Sequence, residues 1–158
     1  MPEGRQPGWG QQSVIEEFRA NGGTVSGFHA DMDLLLLTTT GVRSGRPHVA
    51  PLSYIKDGTG RYVVAAAGGG SPEHPDWYYN ALAEPHVLIE VGTAAFEATA
   101  VTVPGDERED LYEQVAERYP VLVSFQAGTD RPIPLVAFAV TGEISLNSPD
   151  GSSSRRSR

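Results

Sequence analysis

The chain has 158 residues, no cysteine, and 20 acidic against 12 basic side chains, for a net charge of −8. That length suits one domain with a real core, and the absence of cysteine excludes disulfides and thiolate metal sites. Residues 147–158 hold Asp150 against Arg155, Arg156 and Arg158, so this tail is +2 and residues 1–146 carry −10. Such a body repels phosphate backbones, which argues against nucleic-acid binding. An anionic ligand would need a local cationic cluster, and within 1–146 only the surroundings of Arg43 and Arg46 provide one. No run approaches the roughly 20 apolar residues of a membrane span, and "MPEGRQPGWGQQ" lacks the apolar segment of a secretory signal. A cytoplasmic protein is expected, with a peripheral membrane position left open.

Residues 1–12 read as a flexible lead. Ser13 and Glu16 fit a capping box, and Asn21-Gly22-Gly23 fits a helix stop near Ala20. The apolar run Leu34–Thr39 predicts a buried strand. Val49–Lys56 and Arg61–Ala67 predict two more, joined by the hairpin signal Asp57-Gly58-Thr59-Gly60. Ala65 to Gly70 then offers six residues with almost no side-chain bulk. A helix is predicted from about Pro75, with Asp76 favourable in its first turn and Pro85 as its stop. Strands follow at Val87–Val91 and Phe96–Val103. Leu111, Val115 and Tyr119 mark the apolar face of a helix over about 106–119, whose other face is acidic. A last strand covers about Leu135–Val140, and 147–158 reads as a disordered tail after a single domain at 13–146. Mostly antiparallel strands with few helices between them predict a mainly β fold, a small barrel with flanking helices.

Catalytic equipment is sparse. There is no GxGxxG or Walker A sequence and no nucleophile elbow. His29, His48, His74 and His86 are scattered, without metal-ligand spacing, so no metal is expected. A chain with so few acids, bases and nucleophiles points to a borrowed cofactor or to no catalysis. Two segments are compatible with a ligand. In "TTTGVRSGRPHVAPL", Gly41 and Gly45 turn the chain; the turn is either a tight hairpin facing water or an anion nest in which Ser44 and backbone amides donate while Arg43 supplies charge. In "AAAGGGSPEHPDWYYN", small residues and a helix start admit a flat ring, or simply allow close helix–strand packing.

These segments, followed by "RYP" and "TDRPIPLVAF" in the same order, resemble the deazaflavin (F420)-dependent nitroreductase and quinone reductase family of actinobacteria, over about Ile15 to Phe138. The resemblance implies a split β-barrel of the FMN-binding, pyridoxamine-phosphate-oxidase-like type, reduced coenzyme F420, and hydride transfer to a quinone-like or nitroaromatic small molecule. Carried over residue by residue, it implies that Arg43 and Ser44, with His48, form the phosphate-binding turn. Pro51, Leu52, Ala65 and Ala66 lie under the deazaflavin, with Ala67 and Gly68 at the strand end; Trp77 and Asn80 flank it on a helix. Tyr119 and Phe125 line the substrate side, although helical spacing alone makes Tyr119 an equally good core residue and favours a core role over ligand contact for Trp77. The chain departs from the family at Val42, His48 and Ala67-Gly68, where cationic or hydroxyl residues are common. It also departs at Leu122 and Phe125, where tyrosines are found. FMN is the runner-up cofactor, a non-catalytic flavin carrier is the alternative function, and a homodimer is left open.

Overall fold

The computed structural model describes residues 6–27 and 30–144. His29 and the predicted tail at 147–158 lie outside the described residues.

The leucine run forms β1 (Leu34–Thr40), and its lack of alternation has a simple cause: both faces are covered. Leu35 and Leu37 point into the barrel with Val64, Ile89 and Phe138. Leu34 and Leu36 point the other way, onto Ile15 and Phe18 of helix α1 (Gln6–Ala20). α1 begins well before the expected Ser13, so residues 6–12 are helical and not part of a flexible lead, and Ser13 lies mid-helix with no capping role. Pro7 falls in the first turn, where its missing N–H has no partner to lose. Arg19, in the last turn of α1, makes a two-pronged contact with Glu90, at 3.1 and 2.7 Å.

β1 pairs antiparallel with β2 (Pro47–Ser53), whose Pro47 and Pro51 suit an edge strand because they need no ladder donor. The predicted strand Val49–Lys56 is broken at Tyr54 and resumes as the short β3 (Ile55–Lys56). The expected hairpin then leads to β4 (Tyr62–Ala65). Asp57 holds this turn, accepting from the N–H and hydroxyl of Thr59 and from Arg61 at 2.7–2.9 Å. A 3₁₀ turn at Gly68–Gly70 and helix α2 (Asp76–Ala83) follow, then β5 (His86–Val91) and β6 (Ala94–Thr102). Helix α3 (Gly105–Arg118) leads into α4 (Val121–Ala127), a helix that the sequence reading did not assign, and the chain reaches β7 (Leu135–Ile144).

The seven strands form one antiparallel sheet in the order β2-β1-β5-β6-β7-β4-β3. Its two edge strands, β2 and β3, are separated in sequence by Tyr54 alone, so the sheet must curl until its edges meet. That is the half-barrel. Alternate residues of β4 and β7 divide between two cores: Val64, Val136 and Phe138 fill the interior. Val63, Leu135 and Ala137 meet Leu111, Val115 and Leu122 of α3 and α4 outside it.

Candidate active site

Two clefts border β2 and the first turns of α2. The first is an apolar cavity of about 370 Å³. Ala50, Pro51 and Leu52 of β2 form one wall; Ala65, Ala67 and Gly68 form another. Trp77 closes one side, and Tyr119, Leu122 and Phe125 close the opposite one. The second, about 510 Å³, lies at the other end of β2 and is lined by Gly41 to Ser44, His48, Glu73, Asp76, Tyr79 and Asn80. His48 and Ala50 are two residues apart on one strand, about 7 Å at ~3.3 Å per residue, so a long ligand can follow β2 from one cleft to the other.

The turn at the second cleft is tightly built. The Gly41 N–H donates to the Arg46 carbonyl (2.8 Å) and the Gly45 N–H to that of Gly41 (3.0 Å). The Arg46 N–H donates to Ser44 Oγ at 3.0 Å. A Cβ on Gly41 would sit 2.6 Å from Ser44 Oγ and 3.3 Å from the Arg46 carbonyl oxygen, so a side chain there would displace the serine hydroxyl from the turn. Asn80, buried in α2, braces the turn: its Oδ1 accepts from the Val42 N–H and its Nδ2 donates to Thr39 Oγ1, both at 3.1 Å. Asn80 thus shapes the turn from below. Among the described residues, the N–H groups of Arg43 and Ser44 have no hydrogen-bond partner and Arg43 has no ion pair. Ser44 uses its oxygen as acceptor, which leaves its hydroxyl hydrogen to donate. This donor set fits a phosphate-bearing group. The carboxylates of Glu73 and Asp76 across the cleft would confine such a group to the Arg43 side.

Of the residues expected beside the ring, the apolar cavity brings together Pro51, Leu52, Ala65, Ala67, Gly68, Trp77, Tyr119 and Phe125, but not Asn80, which faces the second cleft beneath the turn, and not Ala66. That residue is fully buried in the barrel core, because the chain has just left β4 and its methyl points inward with Val64. Tyr119 gives the cavity its ring and keeps its hydroxyl for the backbone. Its hydroxyl donates to the Tyr54 carbonyl at 2.8 Å and accepts from the Asp33 N–H at 3.2 Å. Burial pushes its pKa up, against backbone hydrogen bonding that works the other way. Phe125 is half-buried on α4, which packs tightly on the glycine turn: a Cβ on Gly70 (φ +87°) would lie 3.2 Å from the Phe125 backbone. Ser124 is exposed and lines neither cleft.

Gln11, Met32 and Ser53 also line the cavity and were not anticipated. Gln11 went unseen because the helix was expected to start only at Ser13, and Ser53 because a strand-end serine carries no pattern of its own. Arg131 was the larger omission. Its guanidinium donates to the carbonyls of Ser71 (3.0 Å), Ala66 (3.2 Å) and Ala67 (2.7 Å), and to His74 Nδ1 at 2.8 Å. Burial, and then the Arg131 charge, lower the His74 pKa, so the ring accepts this bond as neutral imidazole. The signal was an arginine wedged in "TDRPIP", just before the fully buried Ile133.

A curled antiparallel sheet, an apolar cavity on one wall and a cationic turn at the end of the same strand define a split barrel with a site for a long ligand that joins a flat apolar part to an anionic one. The sequence profile of the F420H(2)-dependent quinone reductase family matches residues 11–139, and the chain belongs to that family. It is an oxidoreductase with F420 as its coenzyme. An F420H(2)-dependent quinone reductase of Mycobacterium tuberculosis is 40% identical over 108 residues, which cover 65% of this chain and 70% of that protein. A putative F420H(2)-dependent quinone reductase of the same species is 36% identical over 111 residues, 70% of this chain and 92% of the relative. Among solved structures, an F420-H2 dependent reductase (FDR-A) superposes with a TM-score of 0.62 at 36% identity, covering 67% of this chain and 93% of that one. A putative pyridoxamine 5'-phosphate oxidase from Listeria innocua shares the fold at 18% identity, with a TM-score of 0.53 over 73% of this chain and 90% of that one. A chain described as a domain-swapped dimer is 33% identical, with a TM-score of 0.64 over 84% of this chain and 98% of that one.

Proposed function

We propose that the protein reduces quinones, with the deazaflavin ring in the apolar cavity and the phosphate end at the Arg43–Ser44 turn. The observation that carries this reading is the alignment of the two clefts along β2: an apolar slot at Ala50–Leu52 and, past His48, a turn whose Arg43 and Ser44 N–H groups have no partner among the described residues. Reduced F420, when bound, supplies a hydride. The chain's own residues bind, orient and exclude water. Pro51, Leu52, Trp77 and Ala67 give the ring flat apolar walls. Tyr119, Leu122 and Phe125 give a planar acceptor an apolar face. The Tyr119 hydroxyl is committed to backbone, and the other polar side chains at the wall, Ser53 and Gln11, are not acids, so protons for a quinone product come from solvent. Quinones tolerate this better than nitro compounds, whose reduction gains more from a proton donor.

The test is separate titration of F420, FMN and FAD by ligand fluorescence, followed by turnover with menadione. F420 should bind at least tenfold more tightly than FMN, a difference of about 1.4 kcal/mol. Equal or reversed affinities would promote the FMN reading, and tight binding without turnover would mark a carrier.

The same reading includes action in the cytoplasm and assembly as a homodimer. Its support is the absence, among the described residues, of any helix long and apolar enough to cross a membrane, together with the likeness to a domain-swapped dimer. Light scattering of the purified protein decides the assembly.

A further inference from the structure

The Arg131 guanidinium is half-buried, yet among the described residues it faces no carboxylate. Its acceptors are the Ser71, Ala66 and Ala67 carbonyls and the uncharged His74 ring. The arginine is itself held, because its own carbonyl accepts from Gln126 Nε2 at 2.8 Å and Gln126 Oε1 accepts from the Ile133 N–H at 3.0 Å. Dipoles satisfy such a cation without neutralising it, so its field persists around the loop it binds.

A trans peptide sets its C=O and the following N–H on opposite sides. Drawing the Ala66 and Ala67 carbonyls onto Arg131 therefore turns the N–H groups of Ala67 and Gly68 away from it. Ala67, Gly68 and Gly69 all line the apolar cavity. Among the described residues, neither of these N–H groups nor that of Gly69 has a hydrogen-bond partner. Ala67 is right-handed (φ −83°, ψ −33°), whereas Gly68 and Gly69 have φ of +57° and +69°. A right-handed residue followed by left-handed ones gathers successive N–H groups into one concavity.

We infer that Arg131 is a positioning residue for ring binding: by fixing the Ala66 and Ala67 carbonyls, it aims the Ala67–Gly69 amides at the electronegative edge of the coenzyme ring. The inference rests on the proposal that the deazaflavin ring occupies this cavity. It separates two determinants of affinity: Arg131 acts on the ring and Arg43 on the phosphate end.

The experiment compares F420 with a deazaflavin riboside that lacks the phosphate, using fluorescence titration and absorption spectra. The full chain is used as wild type, Arg131→Gln, Arg131→Lys and Arg43→Ala. Arg131→Gln should weaken both ligands at least tenfold and by the same factor. Arg131→Lys, which keeps the charge but loses the planar fork, should fall between. Arg43→Ala should weaken F420 alone. The absorption band of the bound ring should return toward its free position in Arg131→Gln. Unchanged affinity in a folded Arg131→Gln protein, or a loss confined to F420, would overturn the inference. If neither Arg131 variant folds, hydrogen exchange on the wild type decides. Slowed exchange at the Ala67 and Gly68 amides with the riboside supports the role, and unchanged exchange overturns it. A wild type that binds neither ligand overturns the cavity assignment and this inference with it, whereas normal wild-type binding with no Arg131 effect overturns only the inference.

Discussion

The Tyr119 phenol donates to the Tyr54 carbonyl at 2.8 Å across 65 residues of sequence, and Tyr54 is the one residue between the two edge strands of the sheet. The Tyr54 N–H is tied in turn to the Asp33 carbonyl at 3.0 Å, and the same phenol accepts from the Asp33 N–H. A cavity-wall residue is therefore also the clasp of the barrel. Tyr119→Phe should cost about 1 kcal/mol, the net worth of one hydrogen bond. That would lower the melting temperature by about 2–4 °C. The menadione KM should stay within about twofold, because the ring face remains. A large KM rise with an unchanged melting temperature would instead assign the hydroxyl to the substrate.

Arg43→Ala should leave the melting temperature of the ligand-free protein unchanged, since among the described residues the side chain makes no ion pair. F420 affinity should fall by about 1.5–3 kcal/mol, the range for a hydrogen bond to a charged group. Strong destabilisation with unaltered affinity would make the arginine structural.

Ala66 and Ala67 are neighbours with opposite fates. Ala66 is fully buried in the core, whereas Ala67 lines the cavity. Ala66→Leu should destabilise the fold by about 1–3 kcal/mol through overpacking. Ala67→Leu should leave stability nearly intact and block the coenzyme ring. Parallel melting curves and F420 titrations distinguish them; equal binding losses with equal stabilities would refute the placement of these two methyls.

Acid should loosen the glycine turn. Because the His74 pKa in the folded chain lies below the ordinary 6.5, the unfolded chain takes up the proton first. The stabilisation is full above pH 6.5 and is lost as pH falls through the folded value. Melting temperature measured from pH 7.5 to 5 should decline, and His74→Gln, which can still accept from Arg131, should flatten that limb. An identical decline in the variant would place its origin elsewhere.

Phe125→Tyr adds a hydroxyl to the cavity wall. It should raise the rate with a bicyclic nitroimidazole more than the rate with menadione, and the unmodified protein should be weak or inactive with the nitroimidazole. Initial rates with both acceptors give the answer; efficient nitroimidazole turnover by the unmodified chain would refute the pocket assignment.

Much of this was legible because it is local. The four leucines of β1 announce a strand covered on both faces, and the Asp57–Gly60 turn announces its hairpin. Gly41, Arg43 and Ser44 stand together in sequence, so their turn could be read directly. What escaped depends on packing between distant segments. Val121–Ala127 is rich in strand formers, yet it is helical because Leu122 and Phe125, three apart, reach the outer core together and the backbone rests on Gly70. The helical start at Gln6 runs through Gly8 and Gly10, which local propensity disfavours. Arg131 could not be linked to Ala66 and Ala67 across more than 60 residues by any spacing rule.

The order of the sheet also constrains how the chain is born. Of the described strands β7 is synthesised last, yet it lies between β6 and β4. Until Leu135–Ile144 has left the ribosome, β3 and β4 have no partner beyond each other, and β2, β1, β5 and β6 form a sheet with an open flank. A pair of short strands alone is marginal in water, so the barrel cannot assemble progressively behind the growing chain. Its closure waits for translation to deliver the strand that joins its two parts, and the nascent β6 edge needs protection until then.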